Sequence, residues 1–207
     1  MDYVSSRLRS SFREAVEGGE LVVLPTDTVY GIGSSPWSSR AVTALLLAKG
    51  RDEAMPPPVL VPSVESLLEL GCFDSETARE AALRIARKFW PGALTLVVKA
   101  ARDFGWDMSQ KGDTVALRMP DHPVALELLR VAGPLAVTSA NRSGQAPAES
   151  VFRAREIFGD EVAVYVDGGP SRIGVPSTIA DVTGGEIRVL REGTVGLDQL
   201  RAVARRG

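Results

Sequence analysis

Polar side chains that could bind an anion recur at the ends of apolar runs in this sequence. They belong to Thr26, Thr28, Thr114, Arg118, Ser139, Asn141, Ser177, Thr178 and Arg191. At any single position, an ordinary polar strand end accounts for the residue. Because most apolar runs end in this way, and the carboxyl ends of parallel strands share one sheet edge, the repetition favours one polar, cationic cleft.

Two short segments could bind phosphate groups. Lys49-Gly50-Arg51 stands where a predicted helix ends. Its cations either complement the helix dipole, or act on phosphate as a point charge and a two-pronged fork. Residues 139–144 (SANRSG) are either a simple turn or a cradle of hydroxyl, amide and backbone N–H groups for an anion.

A third segment, residues 25–33 (PTDTVYGIG), follows the apolar run 21–24. The run predicts a buried strand, which Pro25 ends because proline has no N–H to donate. The segment itself is either an ordinary turn or the loop of a ligand site. Asp27 is interpreted as a turn residue, with a metal or water contact as the alternative.

Composition excludes several classes of protein. The 207 residues carry a net charge of −2, which argues against tight, non-specific binding of nucleic acid. The single cysteine (Cys72) and single histidine (His122) cannot form an internal disulfide or a Cys/His metal cage. Cys72 is expected to be buried and His122 to begin a helix. No apolar run is long enough for a membrane span or a signal peptide, so the expected location is cytoplasmic.

The familiar catalytic motifs are also missing from the sequence. It contains neither a Walker A sequence nor Gly-x-Gly-x-x-Gly after a strand, and no Ser/His/Asp set surrounds His122. What remains is a reaction that orients anions without a covalent intermediate on the protein. Phosphoryl and nucleotidyl transfer fit this description, because their catalysis is mostly positioning and charge stabilisation.

The elements that would position these residues alternate between helix and strand along one α/β domain, residues 1–207. Helices are predicted from Ser5 or Ser6 to residue 17, at 39–49, 64–70, 77–89, 123–131 and 150–158, and from 197 to 205. Strands are predicted at 21–24, 58–61, 94–99, 114–118, 135–138, 162–166, 177–182 and 186–190, the last two as a hairpin. The hairpins imply a mixed sheet, expected to be largely parallel.

Taken together, the motifs resemble the YrdC-like family of threonylcarbamoyl-adenylate synthases. The matching segments are 25–33 (PTDTVYGIG), 49–51 (KGR), 90–95 (WPGALT), 115–120 (VALRMP), 139–144 (SANRSG), 167–169 (DGG), 176–181 (PSTIAD) and 190–193 (LREG). They occur in family order from about residue 20 to 195. Each is weak alone, but the ordered set is specific.

The resemblance implies a twisted mixed sheet around a large cationic cavity, and a reaction that builds threonylcarbamoyl-AMP and pyrophosphate from L-threonine, bicarbonate and ATP. Magnesium would be bound through ATP. Partner proteins would use the product to modify an adenosine of tRNA. The family's catalytic and ATP-binding signature falls on Lys49, Arg51, Ser139 and Asn141. Thr114 and Arg191 match nucleotide contacts, and Thr28, Arg118 and Ser177 match positions that hold threonine.

Two departures and two alternatives remain at this point. Residues 145–149 (QAPAE) are less hydroxyl-rich than the family pattern, so no ligand contact is carried over there. Residues 52–55 (DEAM) replace a proline found in many relatives, so no phosphate contact is carried over there. YrdC-like domains have also been linked to RNA binding and ribosome maturation. A relative that forms a carbamoyl-adenylate for another acceptor would share the same Lys-x-Arg and Ser-x-Asn signature.

Overall fold

The fold is known from a computed structural model, which describes residues 3–50, 56–107, 112–170, 175–184 and 186–205. No helix in those ranges is both long and apolar enough to cross a membrane.

Seven helices are found in the described parts of the chain. They are α1 (Ser6–Glu17), α2 (Ser39–Lys49), α3 (Ser66–Leu70), α4 (Glu76–Phe89), α5 (Pro123–Ala132), α6 (Val151–Phe158) and α7 (Leu197–Ala204). The predicted helix signals are confirmed at several ends. Ser5 and Ser38 cap α1 and α2 through their hydroxyls, and Gly50 ends α2 at φ 62°, a left-handed conformation that suits glycine. His122 stands at the N-terminus of α5, as predicted.

Ten strands form one sheet within the described residues. They are β1 (Leu21–Leu24), β2 (Gly31–Ser34), β3 (Val59–Leu60), β4 (Gly71–Cys72), β5 (Leu94–Ala100), β6 (Thr114–Arg118), β7 (Leu135–Ser139), β8 (Val162–Tyr165), β9 (Thr178–Asp181) and β10 (Arg188–Arg191). Their order across the sheet is β10-β9-β5-β6-β3-β7-β2-β1-β8, and β4 pairs with β5. Strands from both ends of the sequence therefore meet in the same sheet.

The predicted mixed α/β sheet is confirmed, with more antiparallel pairing than expected. Of the strand pairs in the described residues, three are parallel (β1 with β8, β3 with β6, β5 with β9) and six are antiparallel. The short β3 lies parallel to β6 but antiparallel to β7. The carboxyl ends of β6 and β7 therefore point to opposite edges of the sheet, so the expected sharing of one edge does not hold for these two strands.

Helices cover the sheet in three groups, each with its own apolar cluster. α3 and α4 pack with β5 and β6, and α7 packs on α4. α2 and α6 pack over β1, β2 and β8, while α1 and α5 pack against each other beside β1 and β7. The C-terminal end of α2, which carries Lys49, therefore lies next to the end of β7.

Two sequence expectations are corrected by the sheet. Residues 31–34, expected to be a loop, form β2, because Gly31 and Gly33 let this strand approach β7 closely. A Cβ atom on Gly31 would lie 2.5 Å from Cγ1 of Val137, and one on Gly33 would lie 2.7 Å from Cγ2 of the same residue. Cys72, expected to be buried, is exposed, because it lies in β4, which pairs only with β5.

Candidate active site

The loop after β1 folds back over the sheet through a threonine turn. The Thr26 hydroxyl donates to the carbonyl of Val29 at 2.6 Å and accepts from the backbone N–H of Thr28 at 3.2 Å. This side-chain-to-backbone pattern is typical of Ser and Thr turns. It places the hydroxyl of Thr28, which is itself buried, against β6.

Arg118, the last residue of β6, is held by three partners. Its Nη1 donates to the Thr28 hydroxyl at 2.9 Å, its Nη2 to Oδ1 of Asp27 at 2.6 Å, and its Nε to the carbonyl of Gly92 at 3.0 Å. Burial lowers the pKa of the Arg118 guanidinium, and the charge of Asp27 opposes that shift. One hydrogen on each Nη remains for a ligand, since a guanidinium has five donor hydrogens.

A second guanidinium lies near Arg118, on β10. Arg191 donates from Nε to the carbonyl of Ser177 at 3.0 Å and from Nη2 to the hydroxyl of Ser177 at 3.1 Å. That hydroxyl also shares a hydrogen bond of 2.8 Å with Thr95. Burial lowers the pKa of Arg191, and the positive charge of Arg118 lowers it further. Two like charges at one site favour an anion between them.

The other cation of the site is Lys49, the last residue of α2, which is fully buried. Its Nζ donates to the carbonyl of Ser139 at 2.5 Å and to Oδ1 of Asn141 at 2.8 Å. The Ser139 hydroxyl donates to the same Oδ1 at 2.6 Å, and the Asn141 amide nitrogen donates to the carbonyls of Arg142 and Gln145, both at 2.8 Å. We refer to Lys49, Ser139 and Asn141 as the lysine cluster.

One cavity of about 400 Å³ joins the lysine cluster to the two guanidiniums. Thr28, Lys49, Thr114, Arg118, Ser139, Ser177 and Arg191 all line it. The volume lies in the range of pockets that hold small ligands. No aspartate or glutamate is found among the described residues that line it. The described lining therefore carries the positive charges of Lys49, Arg118 and Arg191, that of Arg118 being partly offset by Asp27 behind it, although the whole chain has a net charge of −2.

Strand β6 sets the length of this cavity. Thr114, Ala116 and Arg118 alternate along the strand and line the cavity, whereas Leu117 is buried in the core on the other face; Val115 belongs to the same core cluster but also borders the cavity. The pairings of β3 put Arg118 level with Leu60 and Leu135, and Ser139 comes four residues after Leu135. The backbone positions of Arg118 and Ser139 are therefore offset by about 13 Å along the strand direction, at about 3.3 Å per residue.

Seven of the predicted site residues line the cavity directly, and Asn141 contacts two of them through its side chain. Arg51 lies outside the described residues, as do residues 52–55. Arg191 was predicted with the nucleotide group, but it lies beside Ser177 and Arg118, at the end assigned to threonine.

Sequence reasoning missed three contributors to the site. Asp27 was interpreted as a turn residue, yet it pairs with Arg118 across 91 positions. A carboxylate flanked by two threonines at a strand end was the available signal. Thr95 supports Ser177, and Trp106 lines the cavity, but nothing in their local sequence indicates it.

Arg142, within the predicted anion cradle, instead donates to the carbonyl of Ala48 at 2.5 Å, near the end of α2.

The mixed sheet and the cavity lined by Lys49, Arg118 and Arg191 define the class: an α/β protein with a cationic cavity. The sequence pattern of the Sua5/YciO/YrdC family, described as "Telomere recombination", matches residues 14–193. The chain belongs to this family.

Relatives with related sequences are named for one activity. The chain is 51% identical over 189 residues to a Mycobacterium tuberculosis (strain H37Rv) protein named "Putative threonylcarbamoyl-AMP synthase", covering 91% of this chain and 85% of the relative. It is 39% identical over 187 residues to the "Threonylcarbamoyl-AMP synthase" of Bacillus subtilis, covering 89% of this chain and 53% of that protein.

A solved structure agrees with the fold. The structure of Pyrococcus abyssi Sua5 complexed with L-threonine superposes with a TM-score of 0.83 at 36% identity, over 95% of this chain. This chain corresponds to 57% of the length of that one, so the Pyrococcus protein is considerably longer.

Proposed function

We propose that this chain is an L-threonylcarbamoyladenylate synthase, a nucleotidyltransferase that converts L-threonine, bicarbonate and ATP into threonylcarbamoyl-AMP and pyrophosphate. The observation that carries the proposal is the single cavity that joins the lysine cluster to the Arg118–Arg191 pair. The names of the relatives, and the threonine complex of the Pyrococcus protein, support this choice of reaction.

Threonine would bind at the guanidinium end of the cavity. The remaining donor hydrogens of Arg118 suit a carboxylate, which guanidinium binds through two parallel hydrogen bonds. The hydroxyls of Thr28 and Ser177 stand beside it and can contact the polar groups of the amino acid. With its carboxylate fixed in this way, the amine of threonine would point along the cavity towards the lysine cluster.

The first chemical step would join the amine nitrogen to the carbon of bicarbonate. A C–N bond forms, water leaves, and the product is a carbamate anion on threonine. No residue needs to form a covalent bond for this step. The cavity favours the product because it supplies positive charge and, among its described lining residues, no carboxylate that would repel it.

The second step would join a carbamate oxygen to the α-phosphorus of ATP. The bond from that phosphorus to the bridging oxygen of pyrophosphate breaks, and pyrophosphate leaves with the electron pair. The lysine cluster, together with Arg51, would hold the phosphates, and Thr114 would contact the nucleotide. Arg191, beside Arg118 at the guanidinium end, would stabilise the negative charge of the carbamate before it attacks the phosphorus.

Magnesium would be bound through the phosphate oxygens and water. In the described residues no group of three or more His, Cys, Asp or Glu side chains could hold a metal ion, and the cavity lining described here offers no carboxylate. A described lining without carboxylates suits a magnesium ion that keeps several waters and is bound mainly through the phosphates of a nucleotide. The ion would neutralise charge on the leaving pyrophosphate.

Residues 1–207 would form one catalytic domain, since strands from both ends of the sequence enter the same sheet. Threonylcarbamoyl-AMP is a reactive mixed anhydride, so a protein partner that transfers the threonylcarbamoyl group to an adenosine of tRNA would have to consume it.

The test is pyrophosphate release by the purified chain with ATP, magnesium, L-threonine and bicarbonate. Release should need all of them, and mass spectrometry should detect threonylcarbamoyl-AMP. Arg51→Ala should abolish turnover with the far-UV circular dichroism unchanged. Release that is independent of threonine, or AMP formation from carbamoyl phosphate instead, would show a different acceptor and refute the proposal. RNA retardation without ATP turnover would show an RNA-binding protein.

A further inference from the structure

A column of three aromatic rings ends at the cavity. The rings of Trp37 and Phe104 are stacked with centroids 5.2 Å apart, and those of Phe104 and Trp106 with centroids 4.9 Å apart. The guanidinium of Arg102 lies 4.3 Å from the centroid of Trp37 and covers the outer end of this aromatic column. Trp106, at the inner end, lines the cavity.

The aromatic column packs closely against the segment that leads into α2. The backbone N–H of Gly105 donates to the carbonyl of Pro36 at 2.7 Å. A Cβ atom at Gly105 would lie 2.6 Å from the carbonyl carbon of Ser38, so the two chain segments are in close contact. Trp106 itself is half-buried and packs against the apolar clusters on both sides. Its ring is therefore oriented before any ligand arrives, which reduces the entropic cost of binding.

The surroundings of Trp106 differ from the rest of the cavity. Leu46, Pro57 and Pro147 also line the cavity, and Leu46 precedes Lys49 by three residues on α2. A flat apolar surface therefore adjoins the lysine cluster. A nucleotide has the same arrangement, with a flat uncharged base joined through a sugar to charged phosphates.

We infer that Trp106 is the base-stacking residue of this chain, and that its ring binds the purine of ATP by face-to-face contact. The inference rests on the proposed function for the identity of the base. It goes further by assigning affinity for the nucleotide to a residue outside the charged cluster. Phosphate contacts would then orient the triphosphate, while stacking on Trp106 would distinguish a nucleotide from inorganic polyphosphate.

The test compares the binding of ATP and of tripolyphosphate, which lacks base and sugar, by calorimetry without threonine or bicarbonate. Trp106→Ala should weaken ATP binding by about fivefold or more, since stacking on a base contributes about 1–3 kcal/mol. Binding of tripolyphosphate should stay within about twofold, and Trp106→Phe should retain most of the ATP affinity because it keeps a ring. Phe152→Ala, which removes an exposed ring outside the cavity lining, is the matched control and should bind ATP normally.

An unchanged ATP affinity in Trp106→Ala overturns the inference, and so does an equal loss for ATP and tripolyphosphate. If Trp106→Ala does not fold, tryptophan fluorescence decides. ATP, but not tripolyphosphate, should quench the wild-type emission, and the quenching should be lost in Trp106→Phe while ATP still binds. Failure to form threonylcarbamoyl-AMP by a chain that passes these tests would refute the proposed function alone.

Discussion

Replacing Asp27 by asparagine tests whether the Arg118 guanidinium depends on a buried counter-charge. The two side chains form an ion pair of 2.6 Å and are only 5% and 8% exposed. Oδ1 of Asp27 also accepts the backbone N–H of Asp121 at 3.1 Å, whereas Oδ2 is buried with no hydrogen-bond partner in the described residues. Asp27→Asn keeps the shape and an acceptor oxygen but removes the negative charge.

The expected loss follows from this geometry. Removing one partner of a buried pair costs about 3–5 kcal/mol, because the other charge stays buried without compensation. The amide oxygen can still accept from Asp121 and Arg118, so we expect the lower end, about 3 kcal/mol. The amide nitrogen that takes the position of Oδ2 brings two donors to a site with no described acceptor, so a loss much below about 3 kcal/mol is not expected.

The assay is urea denaturation followed by circular dichroism, with free energies taken from linear extrapolation at pH 7. Asp74→Asn is the matched control, because Asp74 and Lys99 form an ion pair whose side chains are 62% and 44% exposed. Exposed pairs contribute roughly 0–1 kcal/mol, so the control should lose no more than that. Equal losses in the two variants, or a loss below about 1 kcal/mol for Asp27→Asn, would refute the reasoning about burial.

Three further predictions concern the site and the strand beside it. Lys49→Ala should abolish pyrophosphate release while Lys99→Ala, at an exposed lysine, should not; comparable rates in both variants would contradict the role of the lysine cluster. Gly31→Ala should destabilise the fold by about 1–3 kcal/mol, because its Cβ would overlap Val137, and adding Val137→Ala should recover part of the loss measured by urea denaturation. Burial raises the pKa of Tyr30, so its neutral form stabilises the fold below about pH 10, and this contribution is lost as pH rises further. Tyr30→Phe should therefore reduce the fall of the free energy of unfolding above about pH 10, and an unchanged fall would contradict the assignment.

The local signals in the sequence predicted the helix ends and most strands. Ser38 and Gly50 fix the two ends of α2 through a side-chain cap and a left-handed residue, and both effects act within a few positions of the chain. Lys49 could be assigned to the end of that helix for the same reason. What the sequence did not show is that the residue is fully buried against Ser139, ninety positions away.

The errors concern features that depend on distant partners. Residues 31–34 contain two glycines, which favour a turn, but here the missing side chains let the segment pair closely with β7 beside Val137. The antiparallel relation of β6 and β7 is set through β3, a strand of two residues with almost no sequence signal. The ion pair of Asp27 with Arg118 likewise required the fold before it could be recognised.

Because Thr114 and Arg118 stand on the same face of one strand, β6 works as a fixed spacer between the two ends of the cavity. Deleting one residue inside it would turn one of the two side chains into the core, since neighbouring positions face opposite ways. Only changes by pairs of residues keep both side chains facing the ligands, and each pair alters the reach by about 6.6 Å. Changes within β6 can therefore alter the distance between the two ends of the cavity only in steps of about 6.6 Å. Smaller adjustments to substrates of a different length have to come from the loops around the strand.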